Sequence, residues 1–339
     1  LRCLVGSEMC IRDSYDFMLS VITDMERQGR YSTAHVYHCA LKSAVGYGGS
    51  SLRIEDLNPA WLKSYQEHLL RQTLLWNTIS TYMRMLRAVY NRAVDLGLAP
   101  YIPRQFKNVF TGRYANHQRA LKKEEIRLVL LKGVNEDAGV VTDEYEAKAK
   151  AKSAAKATDQ DELRTSRSSS RDLNWARACL ELMLRFHGIP FVDLANLRKV
   201  DLQNGYLTVR RHKTGMPLLI AVDPVAMKLL QLYASKDPSS PYLLDILDGA
   251  LSGKAAYRNY QHALRQLNLR LGQLSRLCKL GKKVSSYTAR HTWATIAKFR
   301  GISVEVISEA LGHASISTTE GYLKQFDDDE IKKANKVII

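Results

Sequence analysis

Near the end of the chain, Leu311-Gly-His-Ala-Ser-Ile-Ser-Thr-Thr-Glu-Gly-Tyr-Leu-Lys324 joins a Leu-Gly-His turn to a tyrosine nine residues after the histidine. A tyrosine at that place is either half-buried packing or a nucleophile. Two further groups lie upstream, Ala289-Arg-His-Thr-Trp-Ala-Thr295 and Arg211-His-Lys213. Cutting a phosphodiester with an attacking hydroxyl builds negative charge on the non-bridging oxygens. Arginine suits that charge, because its planar fork holds two oxygens and keeps its proton at any working pH. A lone arginine in a sequence is usually a salt-bridge partner, and a lysine at a hairpin tip is usually just solvated. The three groups must be judged together.

The elements that would position them are mainly helical. Residues 15–27 and 32–45 carry apolar side chains at three- and four-residue spacing. Asn58-Pro59 opens a third helix to about Arg71, and residues 77–96 form the clearest one. There Asn77 reads as an N-cap, and Ile79, Met83, Leu86, Tyr90 and Ala93 make one apolar stripe. Arg84, Arg87 and Asn91 fall on its polar side, where the alternatives are a solvated face and contact with phosphates or a base edge. Further helices are expected over 120–131 and 173–186, and after Pro224 the chain is mainly helical. Residues 205–222 have strand residues on both sides of Thr214-Gly215 and read as a β-hairpin. Arg211 and Lys213, two apart, are expected on one face of that hairpin. The fold class is therefore mainly α with a small antiparallel β-sheet.

With 339 residues the chain holds about two domains. Residues 15–103 form a helical domain, 104–118 a basic linker, and 119–330 a second domain with a tail at 331–339. Residues 137–171, rich in Ala, Lys, Ser and Arg, cannot build a core and read as a mobile insertion. The opening residues 1–14 lack an initiating Met, an apolar h-region and a cleavage site. They read as a translated sequencing adapter fused to a truncated gene, with the natural N-terminus expected to be missing.

Lys and Arg number 50 against 34 Asp and Glu, a net charge of +16, which favours a polyanionic partner. The five cysteines are scattered without a C-x-x-C pair, which argues against a disulfide framework or a zinc site and fits a reducing cytoplasm. There is no apolar run of about 18 residues, so no membrane span is expected.

The 289–295 and 311–324 motifs, in their order and spacing, resemble the catalytic domain of the tyrosine recombinases, the phage-integrase family. Residues 77–91 resemble that family's SAM-like core-binding bundle, particularly in Bacteroidetes-type integrases. The resemblance covers about 15–330 and implies an enzyme that breaks and rejoins double-stranded DNA through a 3′-phosphotyrosine, for integration or excision of a mobile element. It assigns Tyr322 as nucleophile, Arg290 as a phosphate clamp, His313 as a phosphate hydrogen-bond donor, and Lys213 as general acid to the departing 5′ oxygen. It implies no cofactor, metal ion or ATP, a homotetramer on two synapsed sites, host DNA-bending or element-encoded accessory proteins, and a bacterial cytoplasmic, nucleoid-associated setting. The tail from Phe326 to Ile339 is implied to dock on a neighbouring subunit.

Two positions depart from the family pattern. Where a first catalytic arginine usually stands three residues before an acid, Gly188-Ile-Pro-Phe-Val-Asp193 has Pro190. Arg211 is the expected replacement, with His187 the weaker candidate. Tyr287 stands where a histidine is usual; it has a hydroxyl to donate but is a poor base near neutral pH, so it is expected to position phosphate or simply to pack. Loss of the first arginine leaves a second reading, a catalytically impaired DNA-binding remnant. A type IB topoisomerase, which shares the chemistry, is a third.

Overall fold

The computed structural model describes residues 14–49, 51–114, 120–131, 173–313, 315–320 and 323. It separates into two compact units, one of Leu1–Ala115 with Ser252–Tyr257, the other of Asn116–Leu251 with Arg258–Ile339. The expected insertion at 137–171, the opening 1–13, Tyr322 and the tail at 331–339 lie outside the described residues.

The first unit is built on four helices, α1 (Ser14–Arg27), α2 (Tyr31–Gly48), α3 (Pro59–Arg71) and α4 (Trp76–Asp95). Helix α3 starts as its sequence dictates. Asn58 Oδ1 accepts from the Ala60 and Trp61 amides at 3.1 and 3.0 Å, and Pro59 fills the first turn, where no amide is needed. The α4 stripe Ile79, Met83, Leu86, Tyr90 and Ala93 is buried throughout, so periodicity alone located the inward face.

Asn77 does not cap α4, because the helix already begins at Trp76 after Leu75. Its amide instead pairs with the backbone of Tyr114, donating to the carbonyl at 2.9 Å and accepting from the amide at 2.7 Å. Ser80 adds a bond to Gly112 O at 2.6 Å. Residues 104–114 thus pack on the helices, with Phe106 and Val109 buried in the same core and Gln105 bonded to Leu57 O. Their apolar side chains gain more from that core than from an extended, solvated path.

The second unit contains α5 (Lys123–Leu131), α6 (Leu173–Arg185) and the short α7 (Phe191–Ala195). A three-stranded antiparallel sheet follows, β1 (Leu202–Gln203), β2 (Tyr206–Arg210) and β3 (Pro217–Ala221), in the order β1-β2-β3. Then come α8 (Pro224–Leu232), α9 (Gly253–Leu277, in this unit from Arg258), α10 (Ser286–Phe299), α11 (Val304–Ala310) and α12 (Ile316–Glu320). One core joins α5 to α10, and a smaller cluster of Ala294, Ile307, Leu311 and Leu323 seats α11 on α10. The larger core includes Leu180 and Phe186 of α6 and its C-terminal end, Leu207 and Val209 of β2, and Leu267 and Leu271 of α9. Helix α10 packs on α6, which sets the motif around Arg290 against the turn that ends α6.

The β2–β3 hairpin has the register Tyr206↔Ala221 to Arg210↔Pro217. Its connection is a six-residue loop, closed by Arg211 N donating to Met216 O at 2.9 Å and Gly215 N donating to Arg211 O at 2.8 Å. Leu207 and Val209 face inward on β2, and Arg211 continues that parity into the core. Lys213, expected on the same face, stands exposed instead, because the loop breaks the two-residue alternation.

Met83 is fully buried in the α4 stripe. Met83→Ala is expected to lower stability by about 2–5 kcal/mol, read from urea unfolding of the whole chain.

Candidate active site

The end of α6 sets the first wall of the site. His187 and Gly188 both take positive φ, 56° and 68°, and turn the chain from α6 toward Pro190 and α7. The glycine is required twice over: a Cβ there would lie 2.9 Å from Arg290 Cα and 3.2 Å from Trp293 Cβ. That close approach lets Arg290 reach across. Its guanidinium donates through Nη1 to Gly188 O at 3.2 Å and through Nη2 to Leu311 O at 2.7 Å. Nη2 also lies 2.6 Å from His313 Nε2. Arg290 is 3% exposed, and these acceptors are neutral, so they hold the group in place without cancelling its charge.

The second wall is the Leu-Gly-His turn. Gly312 has φ 62°, and a Cβ on it would fall 3.0–3.1 Å from Cγ, Cδ and Nε of Arg211. The turn therefore holds glycine because the Arg211 side chain passes directly beneath it. The Arg211 guanidinium forms a buried ion pair with Asp193 Oδ2, while the His212 amide donates to Asp193 Oδ1 at 2.9 Å. Asp193 and Arg211 are both buried, and Arg211 Nε has no hydrogen-bond partner. Pro190 serves as the cap of α7, and the helix that follows presents Asp193 to Arg211.

His313 completes the cluster. Its ring is half-buried, with Nδ1 2.8 Å from Thr319 Oγ1. Burial first, then the charges of Arg290, Arg211 and Lys213, push its pKa down to about 4. The ring is neutral at physiological pH, with Arg290 against it and Arg211 under the neighbouring Gly312. His187 is lowered too, by burial, with its ring 5.6 Å from that of Trp293.

Of the expected site residues, the structure brings together Arg290, His313 and Arg211, while Lys213 stands exposed on the hairpin loop. Tyr287 is half exposed on the first turn of α10, one turn before Arg290 and 6.2 Å from the His291 ring. Tyr322, the expected nucleophile, lies outside the described residues. Arg84, Arg87 and Asn91 belong to the first unit: Arg87 and Asn91 are exposed, and Arg84 is half-buried with its Nε unpartnered. Sequence reasoning missed Thr319 and the pairing of Asp193 with Arg211. The inward parity of Leu207, Val209 and Arg211 could have revealed the second. Among the described residues no group of three His, Cys, Asp or Glu side chains could hold a metal ion, and no helix is long and apolar enough to cross a membrane.

Residues 157–328, a little over half of the chain, match the phage integrase family. The chain belongs to that family. Residues 14–109 match the phage integrase SAM-like domain. The family match begins inside 137–171, the stretch read as an insertion. The chain is 30% identical over 146 residues to a tyrosine recombinase XerA of Pyrococcus furiosus, a match covering 42% of this chain and 48% of the relative. It thus spans about half the length of the archaeal recombinases it matches. The integrase of Escherichia phage lambda is 22% identical over 295 residues, covering 83% of this chain and 78% of the relative. Among solved structures, a dimer of lambda integrase residues 75–356 bound to a COC′ core site superposes with a TM-score of 0.60 at 14% identity, over 93% of this chain and 98% of that one. A Tn1549 transposon integrase bound to circular-intermediate DNA gives 0.58 at 13% identity, over 95% and 98%. At such identities these likenesses establish the fold, a SAM-like helical domain followed by an integrase catalytic domain.

Gly301 provides a control for Gly312, with φ 77° and nothing within 4 Å of an added Cβ. Gly301→Ala is expected to lose about 1–2 kcal/mol, the cost of a left-handed alanine. Gly312→Ala should lose more, because Arg211 must also shift; equal losses in urea unfolding would show that the passage under the turn is slack. The histidine gives a pH test. With a folded pKa of about 4 and an ordinary value of 6.5, the unfolded chain binds more protons between those limits, so stability falls as pH drops through that window. His313→Gln should make unfolding measured across the same window less pH-dependent than in the wild type.

Proposed function

We propose that this chain is a site-specific recombinase that breaks and rejoins double-stranded DNA, for integration or excision of a mobile element. Arg290 and Arg211 hold the two non-bridging oxygens of the scissile phosphate, and His313 adds a hydrogen bond. The Tyr322 hydroxyl attacks phosphorus, the bond to the 5′ oxygen breaks, and a 3′-phosphotyrosine forms. Lys213, exposed on the hairpin loop, gives its proton to the departing 5′ oxygen. The phosphotyrosine keeps the energy of the broken bond, so a 5′ hydroxyl reverses the step without ATP. Arginine charge takes the part that metal ions play in other phosphoryl transfers.

The observation that carries this reading is the buried guanidinium of Arg211, paired to Asp193 with its Nε unsatisfied, beside Arg290 and His313. Asp193 balances the charge of Arg211, and the buried Nε that it leaves without a partner is a donor available to a phosphate oxygen. Arg211 thus serves in place of the arginine missing at Pro190. Arg84, Arg87 and Asn91 contact DNA from the first unit, and Tyr287 orients phosphate.

The relatives extend the reading. Lambda integrase has been captured as a tetramer on a Holliday junction, and a XerH recombinase on its difH substrate before and after cleavage. By analogy this chain acts as a homotetramer on two synapsed sites, with the tail from Phe326 to Ile339 docking on a neighbour. DNA-bending host or element-encoded proteins assist it, in the nucleoid of a bacterial cytoplasm.

A duplex nicked near the cleavage point traps the covalent complex, which a denaturing gel resolves. Wild-type protein should form it and Tyr322→Phe should not. A DNA-binding remnant would give no complex, and a topoisomerase would relax any supercoiled plasmid. Arg211→Ala is expected to abolish cleavage while DNA binding persists. Because that change also orphans Asp193, Arg211→Lys is the companion: it keeps a charge but loses the fork, and should fold yet cleave at least about tenfold more slowly. Near-normal cleavage by either variant would sink the assignment.

A further inference from the structure

Thr319 is fully buried on α12, and its hydroxyl contacts His313 Nδ1 at 2.8 Å. On the other side of the ring, Arg290 Nη2 meets His313 Nε2 at 2.6 Å. A guanidinium can only donate, so Nε2 must be the acceptor. The neutral ring then carries its proton on Nδ1 and donates it to Thr319 Oγ1. That tautomer is the wrong one for gripping a phosphate, whose oxygens only accept. When a phosphate claims the Arg290 donors, His313 can help only if a proton sits on Nε2. Adding a second proton to the ring is opposed by its burial and by Arg290, Arg211 and Lys213 around it. Moving the existing proton is the cheaper course, provided that Nδ1, now bare and buried, finds a donor.

A threonine hydroxyl meets both demands, since it accepts from Nδ1–H in one state and donates to bare Nδ1 in the other. We propose that Thr319 is a positioning residue that lets His313 exchange tautomers: its hydroxyl accepts from the ring in the free protein and donates to it when the scissile phosphate is bound. Water carries one proton from Nδ1 and returns one to Nε2. The ring stays neutral and no bond between heavy atoms changes. The Arg290–His313 contact is then the resting state of the site, released by the arrival of phosphate. This inference rests on the recombinase reading, since it assigns the phosphate as the ligand that triggers the exchange.

The test uses Thr319→Val, which keeps the shape and removes the hydroxyl, and Thr319→Ser, which restores it. On the nicked duplex, Thr319→Val should cleave about tenfold or more slowly at saturating protein with unchanged DNA affinity, the loss expected for one hydrogen bond made in the transition state. Thr319→Ser should recover most of that rate. A merely structural role would instead lower folding stability and DNA binding together and leave the rate of the bound complex intact. The second readout is the long-range proton–nitrogen spectrum of the free full chain with labelled histidine, the His313 signals assigned by His313→Gln. A proton on Nδ1 is expected; one on Nε2 overturns the inference. So does wild-type cleavage by Thr319→Val. If wild-type protein itself forms no covalent complex, the recombinase reading falls and this inference falls with it.

Discussion

The guanidinium of Arg290 is the pin through the catalytic unit. One nitrogen holds the carbonyl of Gly188 at the end of α6, and another holds that of Leu311 at the end of α11 and touches His313. The guanidinium ties the two turns that make the walls of the site through hydrogen bonds, while Trp293 packs beside both. Both turns contain a glycine at positive φ, and in both the glycine makes room for an arginine. Gly188 admits the backbone of Arg290, and Gly312 admits the side chain of Arg211. The two glycines and two arginines thus act as one packing problem, in which each small residue is set by the large one lying against it.

Burying two guanidinium groups in one unit is costly, and the cost is handled differently for each. Arg211 is neutralised by a carboxylate, Asp193, which the first turn of α7 presents after Pro190. Arg290 donates to two backbone carbonyls, those of Gly188 and Leu311. Burial, and after it the charges of Arg290, Arg211 and Lys213, keeps His313 unprotonated. On the proposed reading, two guanidinium groups fixed in advance are matched to an arriving phosphate, and organisation of this kind lowers the barrier when charge develops on it.

Much of this could be read from the sequence, for reasons that differ by element. The α4 stripe was legible because one helical period repeats over about four turns, from Ile79 to Ala93, and each member is buried. The start of α3 was legible because Asn58-Pro59 is a local signal that needs no partner elsewhere. Asn77 looked equally local and was not: its amide is used by Tyr114, far along the chain, and nothing near Asn77 announces that. The same limit hid the hairpin loop. Strand parity carried Arg211 inward correctly, whereas the length of the loop, which decides that Lys213 is exposed, depends on a ladder bond between Arg211 and Met216.

On the proposed reading, Arg211 supplies the guanidinium that Pro190 cannot, which shows what such a site needs in physical terms. A clamp needs a guanidinium at a point in space, and the side chain is long enough that its Cα can start from several places. What fixes the point is the acceptor that orients the fork. Here Asp193 remains where it can serve, and its two oxygens take Arg211 and the His212 amide together, so the carboxylate grips both the side chain and the backbone of the loop that delivers it. The arginine arriving from the hairpin is therefore held through its side chain and through the backbone beside it. Pro190 is free to do what proline does well, which is to start a short helix and aim its first-turn aspartate.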